Sequence, residues 1–303
     1  RPSPWRLNVV TYLHNHPTRV GAVSRTVSND CWNWVDRAGL QGAIIAGAAT
    51  IDVNLSYMTL KNVPSSREAI DEVMRKTQNE LDAAYARVRE ELPSIRYDLV
   101  RMLNMEDDEE VNLDSIADRV ERRNRRNAIE AKRATLFGNV DKVDLRRIFQ
   151  AASDLAILAD SGWLVRNAES IGGSGEARPV PLVGVEGDIV AAWRTPQGLV
   201  VIGGRGVNHY SADVRFLIDL GGNDIYDLPQ IPPGTFRFVA DLEGDDIYRS
   251  DSSGEGAGIC GIDMLIDLRG NDIYRGVRWS QGAGVLGVGA LVDYSGDDTY
   301  QSR

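Results

Sequence analysis

One phrase of eleven residues returns four times in the last third of this 303-residue chain, and this repeat constrains the fold more than any other feature. Each copy has a short apolar run, an aspartate, a glycine-containing turn, a second aspartate and a final tyrosine. A degenerate copy at 199–210 comes first, and successive final tyrosines lie 16, 22, 26 and 26 residues apart. The matched copies are 216–226, 238–248, 264–274 and 290–300.

Repeats of about 20–50 residues are typical of solenoids, propellers or arrays. A unit this short cannot bury its own apolar face, so neighbouring copies must stack and bury one another. A propeller blade needs about 40 residues, whereas the spacing here suits a coil of two or three short strands. The sequence therefore predicts the α+β class, with a helical N-terminal region followed by a right-handed parallel β-helix, or β-solenoid.

Two aspartates recur in every copy, five residues apart. In a stack of coils, equivalent residues lie about 4.8 Å apart, so ionised carboxylates repel each other. Either N–H groups of the turns donate to them, or a hard cation such as Ca²⁺ bridges oxygens of successive coils. The phrase departs from the G-G-x-G-x-D form of calcium-binding nonapeptide repeats, which counts against a calcium roll of that kind. The candidate calcium ligands are Asp219, Asp224, Asp241, Asp246, Asp267, Asp272, Asp293 and Asp298.

Composition divides the chain into four predicted segments. Residues 1–64 are mixed, and their small-residue run 39–51 is typical of either a buried helix or a strand pair. Residues 65–170 have apolar residues at helical spacing, opened by a capping box from Ser65 to Glu68. Residues 171–198 are rich in glycine and proline, so we predict a linker there. The solenoid is predicted over 199–303.

Charge is distributed unevenly along the chain. Residues 1–170 carry 24 Lys and Arg against 25 Asp and Glu, while residues 171–303 carry 10 against 19. An acidic surface repels nucleic acid and attracts cations or basic partners. The arginine-rich stretch 119–133 follows the acidic run 106–110, so we expect pairing within the chain rather than RNA binding. The longest apolar run is shorter than the roughly 20 residues of a membrane helix, so we predict no membrane span and no nucleic-acid partner.

The N-terminal region contains two weak candidate sites. His14 and His16 would face one side of a strand and bind a metal there, but the sequence places no third ligand nearby, so we favour incidental use. Cys31, between Asp30 and Trp32, would be a nucleophile only beside a group that lowers its pKa. The two cysteines, Cys31 and Cys260, either pair in an oxidising compartment or remain separate buried thiols.

An enzymatic alternative rests on the degenerate first coil. His209, Asp213 and Asp219 would act there as general acid and base, as in a polysaccharide lyase or glycosidase built on a β-helix. The sequence contains no phosphate loop, dinucleotide fingerprint, nucleophile elbow, C-x-x-C or H-E-x-x-H motif. We therefore expect no cofactor other than Ca²⁺, and we favour a non-enzymatic function.

The stretch from Thr195 to Tyr226 and the glycine-rich coil that starts at Gln281 resemble a group of large bacterial exported proteins with tandem G-[N/D]-D-x-Y repeats. The resemblance covers about residues 195–300. It implies a β-helical fold and export to the periplasm, the cell surface or the medium, and it implies no particular chemistry.

The two ends of the sequence complete this expectation. The chain starts at Arg1 without an initiator Met, so we expect a processed piece of a longer polypeptide. A coil that ends at Tyr300 leaves unpaired strand groups, which are an aggregation hazard. We therefore predict that another polypeptide, either the rest of a precursor or a partner subunit, covers this edge. The predicted function is an exported scaffold or binding protein.

Overall fold

In the computed structural model, the described residues are 12, 15–51, 53–56, 65–105, 113, 115–173, 182–250 and 254–302. They confirm the α+β class, with helices followed by a parallel β-solenoid. The run 39–51 is mostly helical, and the helix that contains it kinks at Gly39, where φ is 53°. The helices are α1 (Val20–Ala49), α2 (Arg67–Ala84), α3 (Leu92–Met105), α4 (Arg119–Val140), α5 (Leu145–Leu155) and α6 (Ser161–Gly173), with 3₁₀ turns at Pro17–Arg19 and Ala156–Ala159.

Helix α2 begins one residue later than the predicted capping box requires. Ser66, not Ser65, is the N-cap, and its hydroxyl accepts a hydrogen bond from the N–H of Ala69 at 3.3 Å. Either serine has the chemistry of a cap. Ile70 and Met74 on α2 pack into the core.

The strands form two six-stranded sheets and one pair. The helix-facing sheet has the order β13-β10-β7-β5-β3-β2, the outer sheet has the order β1-β4-β6-β8-β11-β14, and β9 pairs with β12. The strands are β1 (Val185–Glu186), β2 (Ile189–Thr195), β3 (Gly198–Gly203), β4 (His209–Tyr210), β5 (Val214–Asp219), β6 (Ile225–Tyr226), β7 (Phe236–Asp241), β8 (Ile247–Arg249), β9 (Gly258–Ile259), β10 (Ile262–Asp267), β11 (Ile273–Gly276), β12 (Gly284–Val285), β13 (Val288–Asp293) and β14 (Thr299–Ser302).

Each copy of the phrase forms one coil of the solenoid. Its apolar run is a strand of the helix-facing sheet, and its final tyrosine lies on a strand of the outer sheet. Equivalent residues are in register, so Asp267 pairs with both Asp241 and Asp293 in the parallel ladder. The turn between the sheets requires glycine, because a Cβ at Gly244 would lie 1.7 Å from the carbonyl oxygen of Gly222 in the coil before.

The helix-facing sheet is covered on both faces. Phe216 and Phe238, whose rings stack at 5.1 Å, belong to the core shared with the helices, whereas Leu217 and Val239 point into the solenoid. Every residue of β5, β7 and β10 is buried. Parallel strands covered on both faces are apolar without alternation, which explains the continuous apolar run at the start of each phrase.

The predicted linker at 171–198 differs from the structure. Residues from its second half form β1 and β2, which pair antiparallel with β4 and β3 and close the first coil. Trp193 holds β2 to α2. Its indole Nε1–H donates a hydrogen bond to Asp71 Oδ1 at 2.9 Å, and the Arg67 guanidinium lies 4.8 Å from its ring centre. The glycines and prolines that suggested a linker mark turns equally well.

The opposite end of the solenoid is open. Among the described residues, β13 and β14 are the last strands of their sheets. All four residues of β14 are exposed, and Tyr300 is 50% exposed, whereas Tyr274 in the coil before is fully buried. Within the described residues, β1 and β2 therefore cover one end of the solenoid, and no further strand pairs with β13 and β14 at the other end.

Candidate functional site

The two repeated aspartates of each coil line the turn between the sheets. We call Asp219, Asp241, Asp267 and Asp293 the first-position aspartates, and Asp224, Asp246, Asp272 and Asp298 the second-position aspartates. A first-position aspartate ends a strand of the helix-facing sheet. In Asp219 and Asp241, Oδ1 accepts a hydrogen bond from the backbone N–H two residues later. This bond is 2.9 Å long from Gly221 N to Asp219 and from Glu243 N to Asp241. The residue type therefore follows from the turn, which an Asx-type bond stabilises.

The tyrosines bind the first-position aspartates from inside the solenoid. Each buried tyrosine O–H donates to the first-position aspartate of the coil that follows, as from Tyr248 to Asp267 Oδ2 at 2.6 Å. The rings themselves stack at 4.5–5.2 Å between centres. The bonded pairs are Tyr210–Asp219, Tyr226–Asp241, Tyr248–Asp267 and Tyr274–Asp293.

The second-position aspartates link consecutive coils through the backbone. Oδ1 of Asp246 accepts from the N–H of Asp224 at 2.6 Å, and Oδ1 of Asp272 accepts from the N–H of Asp246 at 2.7 Å. The same bond joins Asn208 to Asp224 and Asp272 to Asp298, at 2.6 and 2.9 Å. The aspartates of the phrase thus act as hydrogen-bond acceptors for the turn, the tyrosines and the neighbouring coil.

Seven of the eight aspartates also come together as acidic trios. In each trio, one oxygen from each of three aspartates lies within 4.8 Å of the other two. Burial, the largest cause, raises the pKa of Asp219 and Asp267 to about 7 and that of Asp246 to about 8. The trios are Asp219–Asp224–Asp241, Asp241–Asp246–Asp267 and Asp267–Asp272–Asp293. These groups can hold a hard cation or share protons.

The three residues of the enzymatic alternative do not converge. His209 Nε2 lies 2.9 Å from Asp227 Oδ2 on the outside of the solenoid. Asp213 binds the guanidinium of Arg215 with both oxygens. Asp219 is fully buried between turn and tyrosine ladder. Each of the three candidates therefore has a different hydrogen-bond partner among the described residues.

The N-terminal candidates gain no shared site. His14 lies outside the described residues, and His16 stacks on Tyr12 at 4.6 Å. Asp30 is exposed on α1, and the side chain of Cys31 lies outside the description. Cys260 is buried with a free thiol. The arginine-rich stretch begins α4, where Arg125 pairs with Glu121 and Lys132 pairs with Asp98.

A second cluster of charged residues was missed by sequence reasoning. The guanidinium of Arg237 binds Asp263 through two hydrogen bonds of 3.0 and 2.5 Å, and both side chains are 1% exposed. Glu255, which is also buried, lines the same small pocket beside Tyr248. Burial raises the pKa of Glu255 to about 7. Arg215 is equivalent to Arg237 in the coil before, but Asp263 pairs with Arg237 on one side and Gly289 on the other, so no repeated aspartate marked this position.

Comparisons put these features in context. Within the part of the chain that the structure describes, no helix is both long and apolar enough to span a membrane. Neither a protein-family model, nor a curated protein, nor a solved structure matches this chain.

Proposed function

We propose that this chain is a non-enzymatic exported scaffold or binding protein, whose open solenoid edge receives a strand of another polypeptide. The observation that carries the proposal is the exposure of β14, which lies at the same end of the solenoid as the last helix-facing strand, β13. Strand β14 is exposed throughout, although its counterparts β6, β8 and β11 each bury their tyrosine. A free edge of this kind pairs readily with another strand.

The open edge carries the same pattern that joins the inner coils. Tyr274 donates to Asp293 in the next coil, whereas Tyr300, which lacks a following aspartate among the described residues, donates back to Asp293 at 2.8 Å. The N–H of Thr299 donates inward to Asp272 O. Because hydrogen bonds alternate sides along a strand, the N–H groups of neighbouring residues face outward. An added strand would find backbone donors and acceptors and a tyrosine ring to stack on.

The geometry of the repeat favours a scaffold over a catalyst. Its aspartates accept hydrogen bonds from the backbone and the tyrosines, and His209, Asp213 and Asp219 have separate partners. Catalytic groups need a shared space in which they face one substrate. Export is supported by the resemblance of residues 195–300 to exported repeat proteins.

The test compares two lysine variants at exposed positions. Thr299→Lys places a charge on the open edge, where edge lysines block strand pairing, while Val183→Lys places one at a 99% exposed site outside that edge. Self-association is followed by light scattering, and capture of a labelled peptide of residues 286–302 by fluorescence anisotropy. We expect binding by the wild type and Val183→Lys, and binding weakened about tenfold, or about 1.4 kcal/mol, by Thr299→Lys.

The proposal fails if the wild type neither self-associates nor binds the peptide. It also fails if Thr299→Lys binds as well as the control variant. Fractionation of the source cells tests export separately, because a protein found only in the cytosol contradicts it.

A further inference from the structure

The acidic trios contain oxygen atoms that the fold leaves without a donor. Oδ2 of Asp224, Asp246 and Asp272 is buried and has no hydrogen-bond partner among the described residues. Each of these side chains is 1% exposed, so water does not solvate the orphaned oxygen. A buried carboxylate oxygen without a partner is costly. Every trio contains one of these Oδ2 atoms, and the second and third trios share a further orphaned oxygen, Oδ1 of Asp267. These oxygens point to a missing positive group.

The degenerate first coil shows what this position requires. Asn208 stands where the later coils have a second-position aspartate, because its N–H donates to Asp224 Oδ1 as that of Asp224 donates to Asp246. The amide Nδ2 of Asn208 donates to Asp219 Oδ2 at 2.9 Å. In the later coils, a carboxylate replaces this amide and faces the next first-position aspartate with an oxygen. A cation between the two oxygens would supply the attraction that the amide hydrogen supplies in the first coil.

The donors recorded on the trio carboxylates are backbone N–H groups, tyrosine hydroxyls and the amide of Asn208. The trios therefore form a row of carboxylates along the solenoid axis. None of the donors in these hydrogen bonds is an arginine or a lysine. Buried carboxylates that remain ionised must be paired or must coordinate a metal. This row follows the coil repeat, with one trio for each step from one coil to the next.

We propose that the three trios bind a row of Ca²⁺ ions, one in each trio. Asp241 and Asp267 each belong to two trios and bridge successive ions. Oxygens on one Ca²⁺ ion lie 2.3–2.6 Å from it, hence at most about 5.2 Å from each other. The separations within 4.8 Å in each trio meet this limit. All of the ligands are carboxylate oxygens, which suit Ca²⁺ rather than Zn²⁺. Mg²⁺ retains several waters, and the buried trios favour an ion that sheds them.

The experiment counts ions in the full chain and in two adjacent variants. Asp246→Asn removes one ligand of the middle trio and introduces the amide that Asn208 has in the first coil. Asp245→Asn makes the same chemical change at an exposed neighbour outside the trios, where two of the other three copies have asparagine, Asn223 and Asn271. The protein is stripped with EDTA at pH 8, and bound Ca²⁺ is measured by equilibrium dialysis together with the midpoint of thermal unfolding.

We expect about three ions bound to the wild type and to Asp245→Asn, one for each trio, and about two to Asp246→Asn. Ca²⁺ should raise the unfolding midpoint of the wild type and of Asp245→Asn, because a ligand that binds the folded state stabilises that state. The rise should be smaller for Asp246→Asn. The proposal is overturned if the wild type binds fewer than about one ion, or if both variants bind equally. The proposal is also overturned if the unfolding midpoint of the wild type does not change with Ca²⁺ and rises only on acidification. Shared protons would then be the missing positive groups. If Asp246→Asn does not fold by circular dichroism, Asp272→Asn serves as the same change in the next trio.

Discussion

The ion pair between Arg237 and Asp263 allows a quantitative test of the solenoid interior. The two residues are directly paired in the register of β7 and β10. Asp263 accepts from Nε and Nη2 of Arg237, and Nη1 donates to the carbonyl oxygen of Pro229 at 2.6 Å. Asp263→Asn keeps the volume of the side chain but removes its charge, so the guanidinium stays buried without a counter-ion.

Removing one partner of a buried pair costs about 3–5 kcal/mol, because the other charge is left uncompensated. For a chain of this size, 1 kcal/mol corresponds to roughly 2–4 °C in the unfolding midpoint. We therefore expect Asp263→Asn to lower the midpoint by roughly 6–20 °C. The exposed pair of Glu72 and Arg75 is the matched control, since solvent screens both charges and Glu72→Gln should change the midpoint far less.

Thermal unfolding followed by circular dichroism measures the midpoint, and urea unfolding measures the free energy. The double variant Arg237→Met and Asp263→Leu is measured in the same way. Replacing both charges by apolar side chains of similar size is often neutral or stabilising, so the double variant should recover most of the loss. The reasoning is refuted if Asp263→Asn lies within about 1 kcal/mol of the wild type. It is refuted equally if the double variant is as unstable as the single one.

Two further predictions concern single buried groups. Tyr248→Phe removes the O–H that donates to Asp267 at 2.6 Å and should cost about 1–3 kcal/mol in urea unfolding, whereas Tyr300→Phe at the exposed edge should cost less; equal losses would contradict the burial argument. The pKa of Glu255 is raised to about 7 by burial, so its contribution to stability is complete below its unfolded pKa near 4.5 and is lost as pH rises through about 7. Glu255→Gln should therefore be more stable than the wild type at pH 8.5, by up to about 3 kcal/mol, and a wild type that is the more stable of the two at that pH would contradict this.

The repeated part of this fold was predictable because each copy solves the same packing problem. The coil spacing and the shared positions of Asp219, Asp241 and Asp267 predicted both the stack and the residues that meet in it. The sequence also predicted that the carboxylates need partners, and it left open whether those partners are hydrogen bonds or ions. The same periodicity explains why Tyr226 stacks on Tyr248, because the two residues are in register on neighbouring strands.

The remaining features depend on contacts that occur once. The glycines and prolines in the turns around β1 and β2 predict a linker. The contacts of Trp193 with Asp71 and Arg67 of α2 show why these strands belong to the sheet. Arg237 and Asp263 are 26 residues apart and become partners only through the coil register. The separation of His209 from Asp219 follows from strand alternation at His209 and Tyr210, which sends one side chain outward and the next inward.

The closed first coil gives the solenoid a direction. Because β1 and β2 run antiparallel to the strands that they cover, they end the parallel stack on that side. A stack with two uncovered ends could add coils on both sides, whereas β1 and β2 cover this one at its first coil. Another solenoid could extend the stack at the first coil only by displacing these two strands.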